Sequence, residues 1–563
     1  MSSVHHRTAA VALLLAALAA AVALAVVGAG HEDLAGGSGR QAVVEQRPAA
    51  PEGGTRLGPT DPRAAIDFSL TLRLRDAQLR RFMAQQRDPS SPNYRRFLGP
   101  EAFGRRFGPD AADLAAVRRA LGSSGIEVTR SYPQRTTLRA RGRVEDVSRV
   151  FDVSLDDFVN ESGARWHSPD RPATVPGPLR RAVRDIAGLD TRPLPLHSAA
   201  APTEGQSRES LEAAYGIRPL HEQGIEGEGE TVAIMGYETF SKQDVAQYDE
   251  LTNTEGPPVE KIRVNGGVNQ EGSTEISLDI AAIRAVAPKA QILSYEGPND
   301  GTFSPIVDQI VADGRADIVS LSWGKCDVPE AHAPGQREAD LQSFRAAAAQ
   351  GISVFVASGD SGAYGCQHSN INDDRVAVDF PSASGDLVTV GGTRLSVREN
   401  GSYLDEAGWE DVVSSSGGGG GISEIEPRPE FQTGPGVENK LSSGKRQVPD
   451  VAAAADGDSG YLIVDGGEVF SVGGTSGAAP FWAASMLLVR QYVAGEGGPE
   501  GLGFVNPLLY EIAREEGEKS PFNDVVRGGN RLHNAGPGWD YSTGLGSADM
   551  FELAQAFEER LNR

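Results

Sequence analysis

Asp317-Ile-Val-Ser-Leu-Ser-Trp323-Gly324, followed by Gly351-Ile-Ser-Val-Phe-Val-Ala-Ser-Gly-Asp360-Ser-Gly362, are the segments whose reading decides the fold. Each is a short apolar run that stops in a polar, Gly-containing turn, as a strand buried on both faces does. Thr231–Met235, Gln291–Tyr295 and Leu387–Val390 repeat the pattern, with segments of helical period between several of them. That alternation predicts an α/β domain with a largely parallel sheet over residues 210–563. Sites in such sheets form at the carboxyl ends of the strands, which is where Trp323 and Asp360 fall. Cys326 and Cys366 lie just past the same two strand ends. A disulfide there would tie the loops around the cleft, and two free thiols are the alternative.

Working outward, residues 192–209 are rich in Pro, Ala and Ser without periodicity and read as a linker open to proteolysis. Before them, residues 63–191 form a smaller mixed α+β domain. Ile66, Phe68, Leu70, Leu72 and Leu74 alternate as a strand does, and Leu79–Gln86 and Ala111–Leu121 carry helical spacing. Asp88-Pro-Ser-Ser-Pro-Asn-Tyr94 is a turn that leads through Arg95 to a helix start near Glu101. Residues 31–62 are a Gly/Pro-rich spacer. Thr8 to Gly30 is uncharged and apolar, which fits a signal peptide over residues 1–30 and also approaches the ~20 residues of a membrane anchor. Both readings place the rest of the chain outside the cytoplasm.

The 563 residues carry a net charge of −24, which argues against nonspecific nucleic-acid binding. Two cysteines exclude a four-thiolate zinc site and a disulfide scaffold. The charge is unevenly spread: residues 1–200 hold 28 Arg, no Lys and 21 acidic residues, net +7, and the remainder is net −31. Such halves could dock through complementary fields that fade as carboxylates protonate, or could simply be two unrelated domains.

Four segments bear chemistry. Gly473-Gly-Thr-Ser476-Gly-Ala-Ala-Pro480, before an apolar run, sets a serine at a helix N-terminus, where free N–H groups favour a developing anion. Read alone, it is equally a turn with a capping serine. In Thr274-Glu275-Ile-Ser-Leu-Asp279, which begins a helix ending before Pro288, two carboxylates four residues apart share a face. In a cleft they would share a proton and act as an acceptor suited to acid. On a surface they are a solvated helix start. Asp360, if protonated, could donate to an oxyanion, and Trp323 is either part of that site or plain core. Asp524-Val525 with Gly536-Pro-Gly538-Trp-Asp540 offers only oxygen donors, as calcium prefers, without EF-hand spacing.

Together with Asp88–Phe107, Asp379-Phe-Pro-Ser and Arg446-Gln-Val-Pro-Asp450-Val, these segments resemble the sedolisin family of serine-carboxyl peptidases, its kumamolisin-like members in particular. None of the four C-terminal histidines (221, 332, 368 and 533) sits in the His-Gly-Thr context of subtilisin-like hydrolases. The resemblance implies a subtilisin-like α/β catalytic domain preceded by an activation prodomain. It implies Ser476 as nucleophile, Glu275 as general base, Asp279 as its partner and Asp360 as oxyanion donor. It also implies one calcium ion held by the side chains of Asp524 and Asp540 and the carbonyls of Val525, Gly536 and Gly538. Trp323 matches a tryptophan that extends the carboxylate network, whose companion glutamate would fall at Gly236; Glu238 is close but off register. Asp379 would face a basic substrate side chain or serve as a cap. The implied protein is a secreted, monomeric, acid-active endopeptidase made as a zymogen. Its substrates are proteins or peptides, its prodomain is inhibitor and folding aid, and it touches membrane only if the N-terminal helix is retained. The rival is a catalytically inactive, secreted or anchored calcium-dependent binding protein on the same scaffold.

Overall fold

The structure is a computed structural model that describes residues 54–160, 163–194, 205–333, 335–516 and 520–562. The apolar leader, residues 31–53 of the spacer and residues 195–204 of the linker lie outside the described residues. Among the described residues no helix is long and apolar enough to cross a membrane.

The N-terminal region runs β1 (Thr55–Pro59), β2 (Ala65–Leu72), α1 (Asp76–Arg87), α2 (Pro100–Phe107), α3 (Ala111–Gly122), β3 (Glu127–Ser131), β4 (Thr137–Arg143), α4 (Val144–Phe151), β5 (Leu155–Val159), β6 (Arg165–Pro169) and β7 (Val183–Ala187). One antiparallel sheet has the order β3-β4-β2-β7 and a smaller one the order β1-β5-β6. In β2 the alternating Ile66, Phe68, Leu70 and Leu72 enter the core of this region. Ser69 and Thr71, on the opposite face, are buried as well, which alternation alone does not predict. Helix α1 buries Leu79, Phe82, Met83 and Gln86, at the i, i+3, i+4, i+7 spacing of one stripe. Asp76 in its first turn and Arg87 in its last complement the helix dipole.

The C-terminal region is built on a sheet of β8 (Thr231–Gly236), β9 (Glu260–Arg263), β10 (Gln291–Glu296), β11 (Ile318–Leu321), β12 (Ser353–Ala357), β13 (Val388–Val397), β14 (Tyr403–Gly408) and β15 (Val451–Ala454). Its order is β14-β13-β12-β11-β8-β10-β9, with β15 also paired to β13. Every pairing is parallel except β13 with β14. Helices α5 (Thr274–Val286) and α8 (Thr475–Gly495) share one buried cluster with Val232, Ile292 and Phe355. Residues of α6 (Ser304–Asp313) and α7 (Gln336–Ala349) join Val319, Leu321 and Val356 in another. The sheet is thus covered on both faces, which is why its strands read as unbroken apolar runs.

The two regions meet at α6 and α7. Ala346, Ala348 and Ala349 of α7 join Leu79, Phe82, Phe103 and Phe107 in one apolar cluster. Gln342 of α7 donates to the carbonyls of Leu72 and Thr136, both at 2.9 Å. Asp308 of α6, fully buried, accepts from Thr136 Oγ1 at 2.7 Å, from Gln134 Nε2 at 3.4 Å and from Thr137. We expect Asp308→Ala, which leaves the buried Thr136 and Thr137 hydroxyls unmatched while Gln134 Nε2 keeps the residue-308 carbonyl, to loosen this attachment by roughly 3 kcal/mol. Limited proteolysis of the N-terminal region should accelerate accordingly.

Candidate active site

The carboxyl ends of β11 and β12 and the first turns of α5 and α8 converge. Glycine governs how α8 begins. Gly474, its N-cap, has φ +134°, and a Cβ there would lie 2.9 Å from Asp360 Oδ2. Only glycine allows the backbone to turn this closely around the carboxyl. Thr475 then donates its N–H to Asp360 Oδ1 at 2.7 Å and its hydroxyl at 2.9 Å, fixing the carboxyl beside Ser476. Pro480, inside the helix, has no N–H for the Ser476 carbonyl. Ser322 Oγ, 3.2 Å from that carbonyl, occupies the vacated place.

Ser322 also joins the two halves of the site, since its hydroxyl donates to Asp279 Oδ1 at 2.7 Å. Its own carbonyl lies 3.4 Å from Ser476 Oγ. Glu275 and Asp279 are 2% and 0% exposed and face Ser476 from α5. The Ser476 hydroxyl is near enough to favour the ionised Glu275, yet neither carboxylate oxygen completes a hydrogen bond with it. Burial first, and then the neighbouring Asp279, drive Glu275 well above the ordinary carboxyl range. Burial raises Asp279 to about 8 against the opposing Ser322 hydrogen bond, with Glu238 adding to the rise. Among the described residues no Lys, Arg or His ion pair reaches either group. The pair therefore keeps at least one proton across the acid range.

Glu238 is buried, and its Oε2 accepts from the Glu275 backbone N–H at 3.3 Å, so a third carboxyl caps α5. A Cβ at position 236 would meet Ile276 Cδ1 at 2.2 Å, so a side chain there would require Ile276 to move. Trp323 is fully buried, edge-on to Tyr237 with ring centroids 5.2 Å apart, and its Nε1 has no acceptor among the described residues. Asp379 is 2% exposed behind Asp360, so close to Gly359 and Gly365 that a Cβ on either would strike its carboxyl at 2.0 and 2.5 Å. Burial and the Asp360 charge push its pKa well up, and His368 Nδ1 lies 3.6 Å away. Cys326 and Cys366 are joined by a disulfide.

The four C-terminal histidines have other partners. His221 reaches Glu212 and the Val286 carbonyl, His332 lies by Asp327, His368 by Asp379, and His533 on the Tyr541 ring. In the C-terminal loop, Gly538 N donates to both oxygens of Asp524 at 3.1 Å. Asp540 accepts from the N–H groups of Gly536, Ser542 and Thr543, and burial lifts its pKa to about 6. Val525 is buried. Of the expected calcium set, Asp524 is thus tied to Gly538 and Asp540 to Gly536 through backbone N–H groups. Among the described residues no group of three or more His, Cys, Asp or Glu side chains could hold a metal.

A family model described as the pro-kumamolisin activation domain matches residues 52–192, and one for the subtilase family matches residues 263–502. Kumamolisin of Bacillus sp. (strain MN-32) is 33% identical over 532 residues, covering 89% of this chain and 93% of that protein. The chain belongs to the sedolisin family of serine-carboxyl peptidases. Sedolisin of Pseudomonas sp. (strain 101) is 30% identical over 546 residues, 91% of this chain and 90% of the relative. Human tripeptidyl-peptidase 1 is 26% identical over 556 residues, 90% and 94% of the two chains. The solved Pseudomonas sedolisin, a serine-carboxyl proteinase in complex with pseudo-iodotyrostatin, superposes with TM-score 0.56 at 27% identity, over 64% of this chain and 99% of its own. This member of the family is a serine-type peptidase with a subtilisin-like α/β domain and an N-terminal α+β prodomain.

The active-site carboxyls carry a stability cost of definite sign. Burial pushes Asp279 up to about 8 in the fold, from about 3.9 unfolded. Its contribution is therefore full below about pH 4 and lost as pH rises toward 8. Asp279→Asn should raise Tm relative to wild type at pH 7 and leave it nearly unchanged at pH 4 in thermal scans.

Proposed function

We propose that the protein is a secreted, acid-active endopeptidase made as a zymogen, in which Glu275 rather than a histidine deprotonates Ser476. The observation that carries the assignment of the base is the buried Glu275–Asp279 pair facing a serine at a helix N-terminus. Glu275 takes the Ser476 proton as Oγ attacks the peptide carbonyl. The Asp360 carboxyl and the Ser476 N–H hold the oxyanion, and protonated Glu275 then protonates the leaving amine. Water cleaves the acyl-enzyme by the same path. Asp279, bound to Ser322, is a positioning partner that holds the second proton. Asp379 is assigned a supporting place behind Asp360 rather than a substrate contact.

Asp524 and Asp540, with the carbonyls of Val525, Gly536 and Gly538, would hold one calcium ion, because these residues offer only hard oxygen donors. The ion would anchor this loop. Release of the prodomain in acid needs more than charge loss. The Arg184–Glu338 ion pair joins the two regions. Burial, however, raises both Asp308 and Asp185, the latter to about 6, so protonation of these two favours the docked state. Cleavage within residues 192–209, rather than neutralisation of the −31 body, is then the committing step.

Ser476→Ala, Glu275→Gln and Asp360→Asn should each lower kcat/KM by about a thousandfold or more, and each should arrest processing in acid. Peptide hydrolysis at pH 4 with N-terminal sequencing of the products reads both effects. Unimpaired cleavage by Glu275→Gln would withdraw the base. Chelation should lower Tm and added calcium restore it, by the linkage of ligand to the folded state.

A further inference from the structure

Gly417-Gly-Gly-Gly-Gly421 is the one run of five glycines in the chain, and it lies against the turn that carries Asp360. Gly417 donates its N–H to the Asp360 carbonyl at 2.9 Å, and its own carbonyl accepts from Gly362 N–H at 2.8 Å. Gly419 donates to the Gly359 carbonyl at 2.7 Å. A Cβ on Gly419 would lie 2.1 Å from the Ser358 carbonyl oxygen, so the two backbones meet with no side chain between them. The strip sets one side of the Asp360 turn, as Thr475 sets the carboxyl on the other. Five glycines have no side chains with which to fix themselves, and they lose more freedom on folding than other residues. Something else must hold the strip.

Asn530 and Arg531 hold it near both ends. Arg531 Nη1 donates to the Ser415 carbonyl at 2.9 Å, just before the strip, and Asn530 Nδ2 donates to the Gly420 carbonyl at 3.2 Å. The same two residues hold the Asp360 turn. Arg531 Nη1 also donates to the Ser361 carbonyl at 2.9 Å and to Gln367 Oε1 at 2.7 Å, and Ala363 N–H donates to the Asn530 carbonyl at 3.1 Å. The guanidinium carbon lies 5.0 Å from the centre of the Tyr364 ring, which adds a cation–π contact. A Cβ on Gly362 would meet the Asn530 carbonyl at 2.3 Å and Arg531 Cδ at 3.2 Å, so the pair presses on the turn directly. Asn530 is fully buried and is itself fixed, with Nδ2 donating to the Tyr541 carbonyl at 3.0 Å and Oδ1 accepting from His533 N–H at 2.9 Å. Arg531 has φ +73°, a left-handed backbone that costs a residue with a side chain. The fold accepts that cost at the residue whose guanidinium reaches the turn, and Glu410 Oε2 accepts its backbone N–H at 3.1 Å.

We propose that Arg531 is a positioning residue for the reaction: its guanidinium, bonded to the Ser361 and Ser415 carbonyls, fixes the Asp360 turn against the glycine strip, and Asn530 braces both. The inference rests on the peptidase reading above, in which the Asp360 carboxyl holds the oxyanion. A donor to a developing oxyanion serves only if it is in place before the charge appears, and a misplacement of about 1 Å can cost about a hundredfold in rate. Thr475 fixes the carboxyl itself. Without Arg531 one face of the backbone that carries it would rest on glycines whose near end is no longer pinned.

The test measures kcat and KM separately, on a chromogenic peptide at pH 4, for the full chain matured in acid and for two variants treated alike. Arg531→Met keeps the length of the side chain and removes every donor. It should lower kcat about tenfold or more with KM within about twofold, the signature of an interaction that matters only in the transition state. Arg531→Lys restores a cation with three donors for the three acceptors and should keep kcat within about threefold of wild type. Should Arg531→Met not fold, Arg531→Gly, which is at ease in the left-handed region, makes the same test. A wild-type kcat in the variant without donors would overturn the proposal. So would a raised KM at constant kcat, which would make Arg531 a binding residue, or a loss of kcat as deep in Arg531→Lys as in Arg531→Met. An active wild type beside an unaffected variant sinks the positioning role alone. A wild type that cleaves no peptide sinks the peptidase reading and this inference with it.

Discussion

Glu275 and Asp279 are withdrawn from water side by side, four residues apart on α5, with no cation reaching either among the described residues. Two ionised carboxylates cannot share such a place, so the pair retains a proton, and its proton affinity lies far above that of a free carboxyl. That one constraint gives the site its character. An ionised glutamate in this setting is a much stronger base than glutamate in water, which is what the proposed mechanism asks of Glu275 in place of an imidazole. In that mechanism the same burial ties function to stability, because the group that would ionise is the group the fold resists ionising.

The surrounding structure serves that pair. Ser322 spans from Asp279 to the Ser476 carbonyl that Pro480 leaves without its helical N–H, so the acid pair and the nucleophile's helix are pinned by one hydroxyl. Glu238 caps the helix that bears the pair, and Gly474 lets α8 begin against Asp360. Each device sits at a strand end or a helix start, where backbone groups are unmatched and a side chain can be oriented. The parallel sheet brings these ends to one edge, and α5 and α8 pack together above it.

Much of this was legible in the sequence because buried parallel strands are short apolar runs and helices carry their own period. Thr231–Met235, Gln291–Tyr295 and Ser353–Ser358 fall within a residue of β8, β10 and β12, and the helix read before Pro288 is α5. β13 runs to Val397, past the apolar run ending at Val390, because its second half pairs antiparallel with β14 and exposes Arg394 and Ser396. Such an edge looks like loop in a chain read alone. Ser322, Asn530 and Asp308 were not legible at all. Each owes its place to a partner far away in the chain, and a serine after a strand, an asparagine in a turn and an aspartate on a helix carry no local mark of it. The glutamate sought at 236 was legible as missing, but the entry of Glu238 into the cluster depends on the turn after β8. Asp379, which the sequence left as either a substrate contact or a cap, is packed closely by Gly359 and Gly365, and that contact too has no local mark in the chain.

The most direct measurement is intact mass after rapid acid quench of the enzyme mixed with an activated ester substrate at pH 4. The account predicts a single acyl adduct on Ser476 in wild type, and none in Glu275→Gln on the same timescale. An adduct on another residue, or equal acylation of Ser476 when Glu275 is replaced, would contradict the proposal that this buried glutamate accepts the proton.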